Sequence, residues 1–189
     1  MEEIPKSIIE SAAHNDLDAF ERIYKATHVY VYNIAFRMAG HKEDAEEITQ
    51  EVFIKAHSSI KQFKFNSSLT TWIYRITVNT ALNKIKQRNR RRERPLNLED
   101  HTPEAPVSRP FETTRHKEDC EELVRQMLES LSPKLRACVV LKDMEGLRYR
   151  EIAETLNINI NTVRTRLKRA REILLRKASS KKAARHELF

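Results

Sequence analysis

Arg164, Thr165, Lys168, Arg169 and Arg171 fall on one side of a helix at 3.6 residues per turn. Guanidinium groups hold guanine bidentately, while ammonium and hydroxyl groups hold phosphates, so the chemistry such a row can do is recognition of DNA. The opposite side carries Val163, Leu167, Ala170 and Leu174, an apolar stripe at helical spacing. Just upstream, Tyr149, Ile152, Ala153 and Leu156 form a second stripe, and Asn157-Ile158-Asn159 breaks it. Asn161 or Thr162 is the expected N-cap of the helix that follows. Two short helices joined by a tight turn make a helix-turn-helix, whose second helix enters the major groove.

A different recognition chemistry is spaced along residues 72–90. Trp72, Arg75, Asn79, Asn83, Lys86 and Arg90 recur at intervals of three and four. Amides read base edges, cations hold phosphates and aromatic rings support unstacked bases. The preceding loop, KQFKFNSSLTT at 61–71, offers a pocket for a base turned out of the stack. Arg88, Arg90, Arg91, Arg92 and Arg94 close the segment with a tract able to grip a phosphate backbone.

A third row has the opposite sign. Glu43, Asp44, Glu47, Gln50 and Glu51 lie across a helix from the stripe Ala45, Ile48, Val52 and Ala56. Read alone, that face is either solvent coating or a surface steered onto a basic partner.

No spacing in the chain supports catalysis. It has no glycine-rich phosphate loop, no HExxH and no double cysteine pair; His116 and Cys120 stand at i, i+4 without a second pair, so no metal or cofactor is expected. The chain of 189 residues has a net charge of +8, which favours a polyanionic partner. No apolar run approaches a membrane span, and the acidic start MEEIPKSIIES lacks the positive charge of a secretory signal. Cys120 and Cys138 are too few for a disulfide framework, which fits a reducing cytoplasm.

The elements that must position these rows all read as helices. Apolar spacing predicts helices over 4–14, from Asp16 or Asp18 to a stop at Gly40, over 42–60 and over about 69–92. Phe20, Ile23, Tyr24, Val31, Ile34, Ala35 and Met38 are the expected buried side of the second. Four of the six prolines fall within 95–110, so residues 95–117 read as an extended linker. Beyond it a helix is expected at 117–130, with Leu123, Met127 and Leu128 inside. Ser132 then caps a helix that has Pro133 as its first residue and runs to Met144, with Gly146 closing it. The expected fold is all-α: a helical domain at 1–94, a linker at 95–117, a helix-turn-helix domain at 118–178 and a frayed basic tail at 179–189.

Together, DAEEITQEVFIKAH (44–57), LTTWIYRITVNTALNKIKQRNRR (69–91), LSPKLRACVVLKDMEGLRYREIAETL (131–156) and NTVRTRLKRAREIL (161–174) resemble the extracytoplasmic-function (ECF) sigma factors of bacterial RNA polymerase. The likeness runs from about Asp16 to Lys177, and the linker in place of a middle domain matches the small type. The resemblance implies a promoter-specificity subunit with no catalysis of its own. It places Asp44, Glu47, Gln50 and Glu51 on the clamp helices of the polymerase's largest subunit. Lys64, Phe65, Asn66, Ser67 and Ser68, with Trp72, Arg75, Asn79 and Asn83, correspond to the part that recognises and opens the −10 element. Asn161, Thr162, Arg164, Thr165, Arg166, Lys168 and Arg169 correspond to the −35 reader. It further implies an anti-sigma factor as partner, no small-molecule substrate, and a cytoplasmic location, at the membrane where that anti-sigma factor is anchored there. A plain helix-turn-helix regulator would employ only residues 131–175.

Overall fold

A computed structural model describes the backbone of residues 4–93 and 112–186, and side chains over 4–90 and 120–180. Among the described residues every regular element is helical. The first domain holds α1 (Lys6–Ala13), α2 (Leu17–Ala39), α3 (Lys42–Ser59), a 3-10 turn (Ile60–Gln62) and α4 (Leu69–Glu93). Asp16 caps α2, its carboxylate accepting from Ala19 N at 3.1 Å. Gly40 ends it in the left-handed region at φ +82° and donates to Phe36 O. Ser68 starts α4 by accepting from Thr71 N at 3.1 Å. α2, α3 and α4 pack on one another through Ile23, Ile34, Met38, Ile48, Val52, Ile73 and Val78, each essentially inaccessible. Tyr24 departs from the expected buried side: it is 42% exposed and stacks on His28.

The second domain begins earlier than its sequence spacing predicts. Helix α5 (Glu112–Glu129) takes in residues 112–117, expected to belong to the linker; residues 94–111 lie outside the described ones. Leu123 is on its exposed side, and Leu128 is the buried one. Ser132 and Pro133 start α6 (Pro133–Val139) at the anticipated place, although the Ser132 hydroxyl makes no capping hydrogen bond. The helix does not run on as α to Met144, however. Val140–Met144 widens into a π-turn, in which Glu145 N donates to Val140 O five residues back, and Gly146 closes it at φ +72°. α7 (Tyr149–Leu156) and α8 (Ile160–His186) complete the helix-turn-helix. Asn157 leaves α7 at φ +49°, a conformation that asparagine tolerates better than most residues.

Two boundaries of α8 differ from expectation. Its cap is Asn159, not Asn161 or Thr162: the Asn159 carboxamide accepts from Asn161 N at 2.8 Å, and its carbonyl accepts from Thr162 N and Val163 N. At the far end the backbone stays helical to His186, through most of the segment expected to fray.

The two domains share one core. α7 and α6 both pack on α4, and α6 also meets α2. Arg136, only 7% exposed, crosses the boundary and donates to Met38 O at 2.5 Å, satisfying one of the orphan carbonyls at the end of α2. Its other amine reaches the Glu129 and Leu131 carbonyls, at 3.3 Å each, so a single guanidinium ties the ends of α2 and α5 together.

Candidate nucleic-acid interface

On α8, the N-cap and the stripe Val163–Leu167–Ala170 fix the helix rotation, and Asn161, Arg164, Thr165, Lys168 and Arg169 are left on the exposed side. Asn161 Oδ1 accepts from Arg164 Nη1 at 3.0 Å, which holds that guanidinium near the helix start. The Thr165 hydroxyl donates to Asn161 O. Thr162 is half-buried. Arg166 stands apart from the row: it is half-buried beside the Cys138 thiol, which burial pushes up. Arg171, on the basic face, sits 3.6 Å from Asp143.

Along α4, Asn79, Asn83, Lys86 and Arg90 are exposed on one side. Trp72 and Arg75 are half-buried, and the Arg75 Nε is buried with no hydrogen-bond partner. Arg88 does not join the phosphate-gripping tract. It is drawn to α3, where its Nη1 meets Asp44 Oδ2 at 2.7 Å. Arg91 and Arg92 have side chains outside the described ones, and Arg94 lies outside altogether.

That ion pair changes the reading of the acidic row as well. Asp44 is bound by Arg88, Glu47 by Lys84 and Glu51 by Lys55, the last at 2.5 Å. Two of the four predicted docking residues therefore also brace α3 against α4, while Gln50 is exposed. Lys84 and Arg88 stand at i, i+4, spaced to meet Glu47 and Asp44, and that match was the available signal.

The loop ahead of α4 is built from aromatic rings. Phe63 lies 5.4 Å from Trp72 and 4.9 Å from Phe65, centroid to centroid. Phe65 is 42% exposed at φ +56°, a backbone position that costs a bulky residue energy. Beside it lies a cavity of about 370 Å³, whose wall includes Ser67, Ser68 and Thr70. Its other wall is the start of α1 and the residues just before it, Ile4, Pro5, Lys6 and Ile9, which carry no motif of their own.

The boundary between the domains carries a titratable group that sequence reasoning also missed. Glu145, placed by the π-turn with only 6% of its side chain exposed, meets Arg37 Nη1 at 2.9 Å and accepts from the Tyr74 hydroxyl at 3.2 Å. Burial raises its pKa more than Arg37 and Tyr74 lower it. Burial, then the Glu145 charge, push the Tyr74 phenol up.

Comparison with known proteins fits this division. Residues 23–91 match sigma-70 region 2, and residues 121–174 match sigma-70 region 4. SigW of Bacillus subtilis, an ECF RNA polymerase sigma factor, is 31% identical over 92% of this chain and 96% of its own length. This chain belongs to the ECF sigma factors. The ECF sigma factor SigE of Mycolicibacterium smegmatis is 38% identical over 76% of this chain, which spans 55% of that protein's length. Among solved structures, CnrH in complex with the cytosolic domain of CnrY shares the fold at a TM-score of 0.68 and 20% identity, over 94% of this chain and 99% of CnrH. RpoE of Bartonella quintana, solved with the anti-sigma factor NepR, gives 0.61 at 20% identity, over 82% and 93%.

In this sigma factor the α8 row and the α4 row stand on separate domains, one in region 4 and one in region 2. Among the described residues no cluster of His, Cys, Asp and Glu is arranged to hold a metal, and no helix is long and apolar enough to cross a membrane. Cys120 is exposed, and the side chain of His116 lies outside the described residues.

Proposed function

We propose that this ECF sigma factor binds core RNA polymerase and directs it to promoters through three surfaces, and that the polymerase supplies all the chemistry. α3 docks on the clamp helices of the largest subunit through Asp44, Glu47, Gln50 and Glu51. The loop Lys64–Ser68, with Trp72, Arg75, Asn79 and Asn83, reads and opens the −10 element. On α8, Asn161, Thr162, Arg164, Thr165, Lys168 and Arg169 read the −35 element, and Arg166 serves there chiefly by supporting the helix from Cys138.

Opening needs no catalytic group. Unstacking a base costs a few kcal/mol, and a pocket that accepts it only when it is flipped returns that energy to the melted state. The exposed amides of Asn79 and Asn83 then meet a strand whose edges are free. The observation that carries this reading is the pairing, in one chain, of an exposed amide row on the helix that begins at an aromatic-walled cavity with a separate basic helix. An anti-sigma factor that masks these surfaces is the expected regulator, and the working location is the cytoplasm.

The test is run-off transcription with bacterial core polymerase on a pool of genomic promoters, with and without the protein. Discrete transcripts that appear only with it are expected. Failure to bind core would overturn the reading in favour of a stand-alone DNA-binding regulator.

A further inference from the structure

α1 is tied to the core by Ile9 and Ala12 and packs on the 3-10 turn that leads into the −10 loop, so its first turn is held at the mouth of the cavity. Lys6 there points its ammonium over the Phe65 ring, 5.0 Å from the centroid, and also lies 3.4 Å from Glu10. Its neighbours on the cavity wall are apolar (Ile4, Pro5, Ile9) or hydroxyl-bearing (Ser67, Ser68, Thr70). Among the described residues, Lys6 is the one cation lining the cavity. At about 370 Å³ the space is at the small end of ligand pockets, suited to a single base with its sugar.

A cation over an aromatic face holds the place that a stacked base would take. When a base enters, the ammonium must leave the ring and meet the base edge. Lysine offers three donors and no acceptor. Carbonyl oxygens on guanine, thymine or cytosine can receive it; adenine offers only ring nitrogens, the weaker acceptors, with N1 and N7 flanked by the donating N6 amino group. We propose that Lys6 is a base-selecting residue of this cavity, closing it when empty and favouring a carbonyl-bearing base over adenine when it is filled. The proposal rests on the reading of the loop as a flipped-base pocket.

The test uses holoenzyme assembled from core polymerase and the full chain, selecting from a pool of random single-stranded DNA 12-mers. The wild type is expected to deplete adenine at one position, by about tenfold, the ratio expected for losing one charge-assisted hydrogen bond. Lys6→Ala should bring that position to within about twofold of indifference and leave the other preferences in place. Lys6→Gln, whose amide can pair with adenine N6 and N7, should turn the preference toward adenine. Lys6 is exposed, and unchanged thermal unfolding of both variants checks the fold. Adenine depletion that persists in both variants overturns the role of Lys6 while leaving the pocket intact. Wild-type holoenzyme that binds the pool with no base preference at any position overturns the pocket itself, and the proposal with it.

Discussion

Arg164 and Arg166 stand two residues apart on α8 and end in different surroundings. Arg164 is exposed and held by Asn161, whereas Arg166 turns inward to the Cys138 sulfur. Helical spacing already turns Arg166 about 200° from Arg164, toward the apolar stripe, and only the family resemblance set it among the −35 readers; the packing of α6 against α8 keeps it on the inner side. Asn79 shows the reverse case, since its place in the stripe already marked it as an exposed reader and the structure leaves it exposed. Asn79→Ala should slow open-complex formation on duplex promoters by about tenfold, the cost of one amide–base contact. Activity should return on a template mismatched open across the −10 region. Run-off assays on the two templates check this, and no rescue on the open template would remove Asn79 from strand opening.

At the scale of elements, the acidic face of α3 packs against α4 and is also the proposed docking surface. Asp44 and Glu47 hold Arg88 and Lys84 of α4, so a simple charge reversal at Asp44 would confuse docking with packing. The exchange Asp44→Arg with Arg88→Asp keeps an ion pair between the helices while inverting the charge offered outward. It should cost about 1 kcal/mol or less in chemical denaturation, as expected for a partly exposed pair, yet lose core-polymerase binding in pull-down. Binding that survives the exchange would show that Asp44 belongs only to the packing. Asn159, Asn161 and Thr162 all have capping chemistry, so local sequence does not choose among them. The backbone path out of Asn157, at positive φ, is what selects Asn159.

For the whole molecule, the boundary between the domains is the feature with most consequence. Helices packed together lie about 8–10 Å apart, and α7 packs on α4. The two promoter elements are separated by about 25 base pairs, roughly 85 Å along the duplex at 3.4 Å per pair. If the α4 and α8 rows read the two elements as proposed, the arrangement described must open for both to be read at once, which makes Glu145, Arg37, Tyr74 and Arg136 the contacts to break. Because burial raises the Glu145 pKa, the packed state binds a proton more readily than the unfolded one. Its stability contribution from this group therefore falls as pH rises from the ordinary carboxylate range through the raised value, and is recovered on acidification. Thermal unfolding across that range should show this slope, and Glu145→Gln should flatten it. An identical slope in the variant would mean that Glu145 does not titrate in this contact. Glu145→Lys, which sets a cation against Arg37, should expand the free chain in small-angle scattering.

The all-α class, the helix-turn-helix, the amide row of α4 and the acidic face of α3 were legible in the sequence. Each is a local periodicity, and periodicity depends on residues only three or four apart. The stop at Gly40 and the start at Pro133 were legible for the same reason, since a left-handed glycine and a proline at the first helical position act within one turn. The capture of Arg88 by Asp44, the wall that α1 adds to the −10 loop, the π-turn that aims Glu145 and the reach of Arg136 to Met38 join residues 44 to 108 positions apart or belong to no repeat. Such contacts are decided by which helices pack and at what rotation, a property of the assembled core that no stretch of the chain carries alone.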